Sequence, residues 1–120
     1  MILDISNKLE AVLAGAVAAN QPEVHVDYVD WTPEGVRTPP ASYRVALNSA
    51  TDVTILAAPV SNPKREPIEV NIYNKDTASV VVTVKTDDGT TERIILKRTL
   101  TTLQTLVWKS NVGWFVLATA

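Results

Sequence analysis

The sequence offers few side chains for acid–base or nucleophilic chemistry. His25 is the single histidine in the 120 residues, and there is no cysteine. General acid–base catalysis needs a base within hydrogen-bond reach of the reacting group. His25 shares one face of an alternating segment with Asp27, where a surface or hydrogen-bonded histidine is the commoner case. No nucleophile motif accompanies it, so we predict no catalytic residue and no enzymatic activity.

Metal and phosphate sites have equally little support in the sequence. Calcium binds clusters of carboxylate oxygens, but Asp27 and Asp30 have an odd spacing that places them on opposite faces of a strand. The run Asp87-Asp88-Gly89 lacks the longer series of ligands of an EF-hand loop and is typical of a hairpin turn. The four glycines are isolated, whereas phosphate loops need several together. We therefore predict no metal and no cofactor.

Charge and length restrict the classes of partner and architecture. The formal net charge is −2, and the acidic and basic residues are spread along the chain, so we expect neither nucleic acid nor a membrane as a partner. The one small basic cluster, Lys64-Arg65, lies beside prolines in a predicted loop. Nothing near Asp4 has the pattern of a signal peptide or membrane anchor. A length of 120 residues favours one domain covering 1–120.

The first 21 residues have the apolar spacing of an amphipathic helix. Good helix formers fill much of the segment, and Asn20-Gln21-Pro22 is a helix stop. We predict a helix over 1–21 that either closes one end of its own domain or packs on a neighbouring subunit. Its apolar stripe consists of Ile5, Leu9, Val12, Leu13, Ala16 and Val17.

From residue 22 onward, apolar and polar residues alternate in short runs separated by turn-forming residues. This period of two is typical of half-buried strands, and turns recur at intervals of about 8–12 residues, as in all-β sandwiches and barrels. The sequence thus predicts a mainly β fold: an antiparallel β-sandwich over 22–120, jelly-roll-like, with one N-terminal α-helix. The clearest hairpin turns at Asp87-Asp88-Gly89.

The three tryptophans are candidates for either core packing or binding. Trp108 and Trp114 flank one predicted turn, and we expect them to pack across two strands of the core. Trp31 begins a proline-rich segment, 31–40, which we predict to be an irregular loop that serves as a contact arm. For Trp31 the core edge and an interface remain equal alternatives. Together with the helical stripe, it completes our set of interface candidates.

Several stretches of the chain also carry a resemblance to a known family. They include ILD, NKLE and LAGAV at the start, TDVT followed by AAP, VNIYNKDTAS running into VTV, and LVW followed by GW, within 2–17, 51–59, 70–84 and 106–114. These stretches resemble small structural proteins of the virions of tailed bacteriophages. The chain departs from the family at 109–113, where KSNVG replaces an acidic, glycine-rich turn.

The resemblance implies a non-enzymatic component of the virion, made in the host cytoplasm. The expected role is a capsid decoration or cement protein that reinforces the phage head, acts as a homotrimer and contacts the major capsid protein or another virion protein. The alternative is an attachment or adaptor module of a tail fibre or baseplate. Such a module would bind glycans if Trp31 or Trp108 were exposed in a groove.

Overall fold

The computed structural model describes residues 1–118, which contain ten β-strands and no helix. Within this range no helix is therefore long and apolar enough to cross a membrane. The strands are β1 (Leu3–Asp4), β2 (Lys8–Leu13), β3 (Glu23–Trp31), β4 (Ala41–Ala46), β5 (Val53–Leu56), β6 (Lys64–Tyr73), β7 (Val80–Asp87), β8 (Glu92–Leu100), β9 (Thr105–Lys109) and β10 (Gly113–Leu117).

The strands form two antiparallel sheets, which confirms the prediction of a mainly β, antiparallel fold. The six-stranded sheet has the order β10-β9-β6-β3-β4, and β1 also pairs with β6. Because β3 covers one edge of β6 over its whole length, β1 and β9 share the opposite edge. The four-stranded sheet has the order β5-β2-β7-β8.

Both sheets contribute apolar side chains to a single core. Alternation along each strand directs every second residue to the same face, and the buried residues of the two sheets belong to one cluster. Its fully buried members include Leu9, Ile55, Val82 and Val84 from the four-stranded sheet, and Val26, Val70, Ile72 and Leu106 from the six-stranded sheet.

The helix predicted for residues 1–21 is wrong. This segment contains β1 and β2 instead, so the sheets begin before residue 22. Every second residue of β2, namely Leu9, Ala11 and Leu13, belongs to the hydrophobic core, and β2 pairs with β5 on one edge and with β7 on the other. A spacing of four, as between Leu9 and Leu13, satisfies both a helix and a strand, and a central place in a sheet outweighs local helix propensity.

The alanine-rich remainder of that segment is a loop because its backbone donors bond elsewhere. In a helix, the N–H groups of Ala18, Ala19 and Asn20 would reach carbonyls four residues earlier. Here all three donate to the carboxylate of Asp76, over distances of 2.8 to 3.0 Å. A long-range contact therefore supplies the hydrogen bonds that a helix would have made locally.

The connections divide the molecule into two ends. Between β2 and β3, β4 and β5, β6 and β7, and β8 and β9, the chain crosses from one sheet to the other at the same end, called the crossover end below. At the opposite end, called the Trp31 end, are the loops after β3 and β5 and the turn between β7 and β8. The segment before β2 also lies there, since β1 pairs with the first residues of β6.

The two predicted hairpins are confirmed, with corrections at their margins. β7 and β8 join through the expected turn, where Gly89 adopts φ 89°, a left-handed conformation that suits glycine. Trp108 and Trp114 face each other across β9 and β10 with ring centroids 6.3 Å apart. The apolar pattern of Leu103, Leu106 and Trp108 predicts a strand that includes Leu103, but Leu103 is an exposed turn residue with φ 64° and β9 begins at Thr105.

Alanine substitution distinguishes the observed strand from the predicted helix. Ile5 and Leu9 would lie on one helical stripe, but Leu9 is fully buried and Ile5 is 67% exposed. We expect Leu9→Ala to lower the free energy of unfolding by about 2–5 kcal/mol, because it leaves a cavity in the core. Ile5→Ala is the matched control and should change it by less than about 0.5 kcal/mol. Equal losses in chemical denaturation would contradict the strand assignment.

Candidate functional site

Three chain segments meet at the Trp31 end and form a surface that consists mostly of loops. Trp31, the last residue of β3, pairs with Lys64 at the start of β6 and makes an isolated bridge to Arg37. Beside it, Leu3 of β1 pairs with Arg65. The segments 1–7, 32–38 and 57–63 are therefore brought together by strand pairing rather than by proximity in sequence.

Trp31 is held in place from two sides. Its indole Nε1 donates a hydrogen bond of 3.0 Å to Oε2 of Glu66. The guanidinium of Arg37 lies 5.8 Å from the ring centroid, within the range of a cation–π contact. The following turn is closed by the Val36 N–H, which donates to Oγ1 of Thr32 at 3.1 Å. The half-buried ring is thus a fixed part of the surface.

A bidentate ion pair between Arg65 and Asp30 stabilises the Trp31 end. The Nε and Nη2 atoms of Arg65 donate to the two carboxylate oxygens of Asp30 at 2.7 and 3.1 Å, and the guanidinium lies 4.5 Å from the ring centroid of Tyr28. The Arg65 hydrogen bond lowers the pKa of the Asp30 carboxyl below its ordinary range. Arg65 Nη1 also donates to the carbonyl of Ala57, which joins the loop after β5 to the sheet.

The cleft in this surface is largely apolar. This cleft, of about 370 Å³, has Ile2, Trp31, Pro33 and Pro63 among its lining residues, with Lys64 at its edge. Contiguous exposed apolar surface often marks an interaction site. The large apolar residues exposed in the three segments are Ile2 (56%), Ile5 (67%), Val36 (60%) and Val60 (91%).

The structure disperses the predicted interface residues. Ile5 and Trp31 both belong to the Trp31 end. Leu9 and Leu13 lie inside the core, and Val12 is half-buried on the other face of β2. Ala16 and Val17 lie at the crossover end, where the Val17 N–H donates to Oγ of Ser49. The stripe does not form a continuous surface, and only its first member joins Trp31.

His25 lies on the outer face of the six-stranded sheet, in a shallow depression of about 660 Å³ shared with Arg44 and Tyr73. Its Nε2 is 3.2 Å from Oδ1 of Asp27, and the hydroxyl of Ser42 donates to the same oxygen at 2.7 Å. A catalytic triad places the histidine between the hydroxyl and the carboxylate. Here the carboxylate is in the middle, so this group lacks the order that nucleophilic catalysis requires.

A buried carboxylate organises the crossover end, and no sequence pattern predicted it. Asp76 is 1% exposed, and four backbone N–H groups donate to it, from Ala18, Ala19, Asn20 and Thr77. The hydrogen bonds from Asn20 and then Ala18 lower the pKa of this carboxyl to about 2. The tripeptide Asn74-Lys75-Asp76 is in itself typical only of a turn.

Asn74 complements Asp76 from the same loop. Its Oδ1 accepts the Asp76 N–H at 3.0 Å, while its Nδ2 donates to the carbonyls of Ala78, Leu100 and Thr101 at 3.1 Å each. The fully buried amide therefore provides hydrogen-bond partners for backbone groups of the β6–β7 and β8–β9 loops. Without it, these backbone groups would be buried without a partner.

A second group that sequence inspection did not reveal lies on the outer face of the four-stranded sheet. Carboxylate oxygens of Glu10, Asp87 and Glu92 lie within 4.8 Å of one another. They come from β2, β7 and β8, and strand pairing brings them together. Only the register of these strands could have predicted the cluster, because the three residues share no local motif.

Asp76 makes stability dependent on acid pH. Its folded-state pKa of about 2 is below the ordinary value of 3.8, so the unfolded chain binds more protons between these values. The stabilisation is complete above about pH 4 and is lost as the pH falls toward 2. Asp76→Asn should lower the melting temperature at neutral pH, with a difference from wild type that narrows between pH 4 and 2.

Circular dichroism melting curves over this pH range measure the effect, and Glu34→Gln, at an exposed position, is the control. A difference between Asp76→Asn and wild type that stays constant down to pH 2 would show that the charge of Asp76 contributes nothing.

Comparison with known proteins adds no relative: no family model, no curated protein and no solved structure matches the chain. The function of the chain is therefore inferred from its own residues, above all those of the apolar cleft at the Trp31 end and those of the exposed edge strands of the two sheets.

Proposed function

We propose that this chain is a non-enzymatic structural protein of a virion, most specifically a decoration or cement protein that binds the outside of a phage head. The observation that carries the proposal is the apolar Trp31 end, together with the resemblance described above. Four large aliphatic side chains exposed on three fixed segments lose water most favourably when another protein covers them. The proposed occupant is the major capsid protein or another protein of the shell.

The Trp31 end suits a partner that presents many copies of the same binding site. A cleft of about 370 Å³ is small, so one copy provides a modest interface. On a symmetric shell, several linked copies bind together, and avidity compensates for weak individual contacts. The Asp30–Arg65 pair limits the freedom of the segments, which reduces the entropy lost on docking.

Edge strands support the proposal that the protein acts as a homotrimer. Along β4, five of the six residues are exposed, and along β8 exposed residues face both sides of the strand. Unpaired strand edges can accept a strand of another chain. In the proposed trimer, these edges pair with, or are covered by, neighbouring copies, while the Trp31 end contacts the shell.

We further propose that the two sheets constitute a β-sandwich, as their common core suggests. Jelly-roll connectivity stays a prediction. The pairs β3–β4, β7–β8 and β9–β10 are hairpins within one sheet, and the other connections pass from sheet to sheet.

The second candidate function is an attachment or adaptor module of a tail fibre or baseplate. Its glycan-binding form would need an exposed aromatic platform. Trp108 is buried among the core residues, and one face of Trp31 is near Arg37. These contacts favour a protein partner over a sugar. A fibre or baseplate partner would use the same Trp31 end, so particle location separates the two functions.

Purified particles provide the direct test of the virion role. We expect mass spectrometry to detect the chain in particles produced by the genome that encodes it. Cryo-electron microscopy should place three copies together on the head surface. Absence of the chain from the particles would refute both virion roles, and density at the tail would favour the adaptor role.

Substitutions at the Trp31 end test the docking surface. We expect the double variant Ile5→Ser, Val36→Ser to keep its melting temperature, because both side chains are mostly exposed. Its affinity for particles lacking the protein should fall roughly ten- to a hundredfold, since each buried aliphatic side chain contributes on the order of 1 kcal/mol. Leu103→Ser, at the crossover end and half exposed, is the matched control. Unchanged affinity of the double variant would exclude this surface.

A further inference from the structure

The carboxylate cluster on the four-stranded sheet has features of a ligand site. Glu10 of β2 lies opposite Lys85 of β7, and Asp87 of β7 lies opposite Glu92 of β8. One carboxylate oxygen from each of the three acids lies within 4.8 Å of the others. The cluster is thus fixed by the register of three paired strands.

Glu10 is the unusual member of this cluster. Although it is on the sheet face away from the core, it is only 4% exposed. Its Oε2 is 3.3 Å from Nζ of Lys8, while Oε1 is buried and has no hydrogen-bond partner among the residues that the structure describes. Leaving a buried carboxylate oxygen unpaired is costly, so a positively charged ligand at this oxygen would remove a substantial penalty.

The surrounding charges do not neutralise the cluster. Nζ of Lys85 lies 2.9 Å from both Asp52 and Glu92. The four carboxylates and two ammonium groups that these contacts join have a formal charge of −2, which one divalent cation would compensate. The six groups are Glu10, Asp52, Asp87 and Glu92 with Lys8 and Lys85.

We propose that Glu10, Asp87 and Glu92 bind a hard divalent cation, calcium, on the outer face of the four-stranded sheet. Oxygens that share one calcium ion at 2.3–2.6 Å lie no farther than about 5 Å apart, and the three oxygens meet this condition because they lie within 4.8 Å of one another. Magnesium demands near-octahedral geometry and is usually held by one or two carboxylates, so a group of three carboxylates suits calcium better.

The ion would enter from the solvent side, through Glu92. The side chain of Glu92 is 46% exposed and that of Lys85 is 10% exposed, so water reaches the outer part of the cluster and could complete the coordination shell. Lys85 keeps its second partner, Asp52, when Glu92 turns toward the ion. Calcium would then connect β2, β7 and β8 and stabilise the β7–β8 hairpin, whose turn contains Gly89.

Thermal unfolding with calcium chloride tests the site. For a dissociation constant on the order of 1 mM, about 10 mM calcium should raise the melting temperature of the full chain by about 3–6 °C. Glu10→Gln and Glu92→Gln should each abolish this increase, because each removes a charged ligand. Glu92 is largely exposed, so its variant tests the site even if Glu10→Gln folds poorly.

Glu34→Gln is the matched control, since Glu34 is exposed in the loop after β3 and its variant should respond to calcium as the wild type does. Isothermal titration calorimetry with calcium alone should give one site per chain for wild type and Glu34→Gln. A wild-type melting temperature that does not change with calcium would overturn the proposal. The same holds for an increase that both cluster variants retain, and an equal response to magnesium would overturn the assignment of calcium.

Discussion

The hydrogen bonds of Asp76 are the constraint on which the arrangement of the two sheets depends. A chain that crosses repeatedly between sheets must bury part of its loop backbone, and each buried N–H group needs an acceptor. The Asp76 carboxylate accepts from the loop between β2 and β3 while it is itself part of the loop between β6 and β7. Asn74 donates to the carbonyls of Leu100 and Thr101, where the loop between β8 and β9 begins. One short polar segment thus provides hydrogen-bond partners for backbone groups of three loops that cross between the sheets.

This concentration of polar contacts gives the two ends of the molecule different properties. At the crossover end, Gln21 and Ser49 exchange hydrogen bonds of 2.8 Å in both directions. These bonds link the loop between β4 and β5 to the loop between β2 and β3. At the Trp31 end, the ion pair of Asp30 and Arg65 connects β3 to β6, and four large aliphatic side chains are exposed beside charged residues. A partner that covers the Trp31 end would therefore bind a preformed surface, and the loops of the crossover end would not have to rearrange.

Sequence patterns predicted the strands well and the long-range polar contacts poorly. Alternation identified the segments around Val26, Val70 and Val82, because a sheet with one buried face imposes a period of two. The same reasoning failed for β2, since the spacing of Leu9 and Leu13 fits both periods and only pairing with β5 and β7 decides between them. The roles of Asp76 and Glu10 depend on residues brought close by the fold, so no local pattern contained them.

The distance along the chain between Asp76 and its partners has a consequence for folding kinetics. The carboxylate bonds backbone groups 56 to 58 residues earlier in the sequence. Contacts of such separation require closure of a large loop before they yield any free energy, and chains dominated by them fold in milliseconds to seconds. The crossovers should accordingly close late, after the local β7–β8 and β9–β10 hairpins. Contacts that form after the transition state also slow unfolding, so the hydrogen bonds of Asp76 should lengthen the lifetime of the folded state.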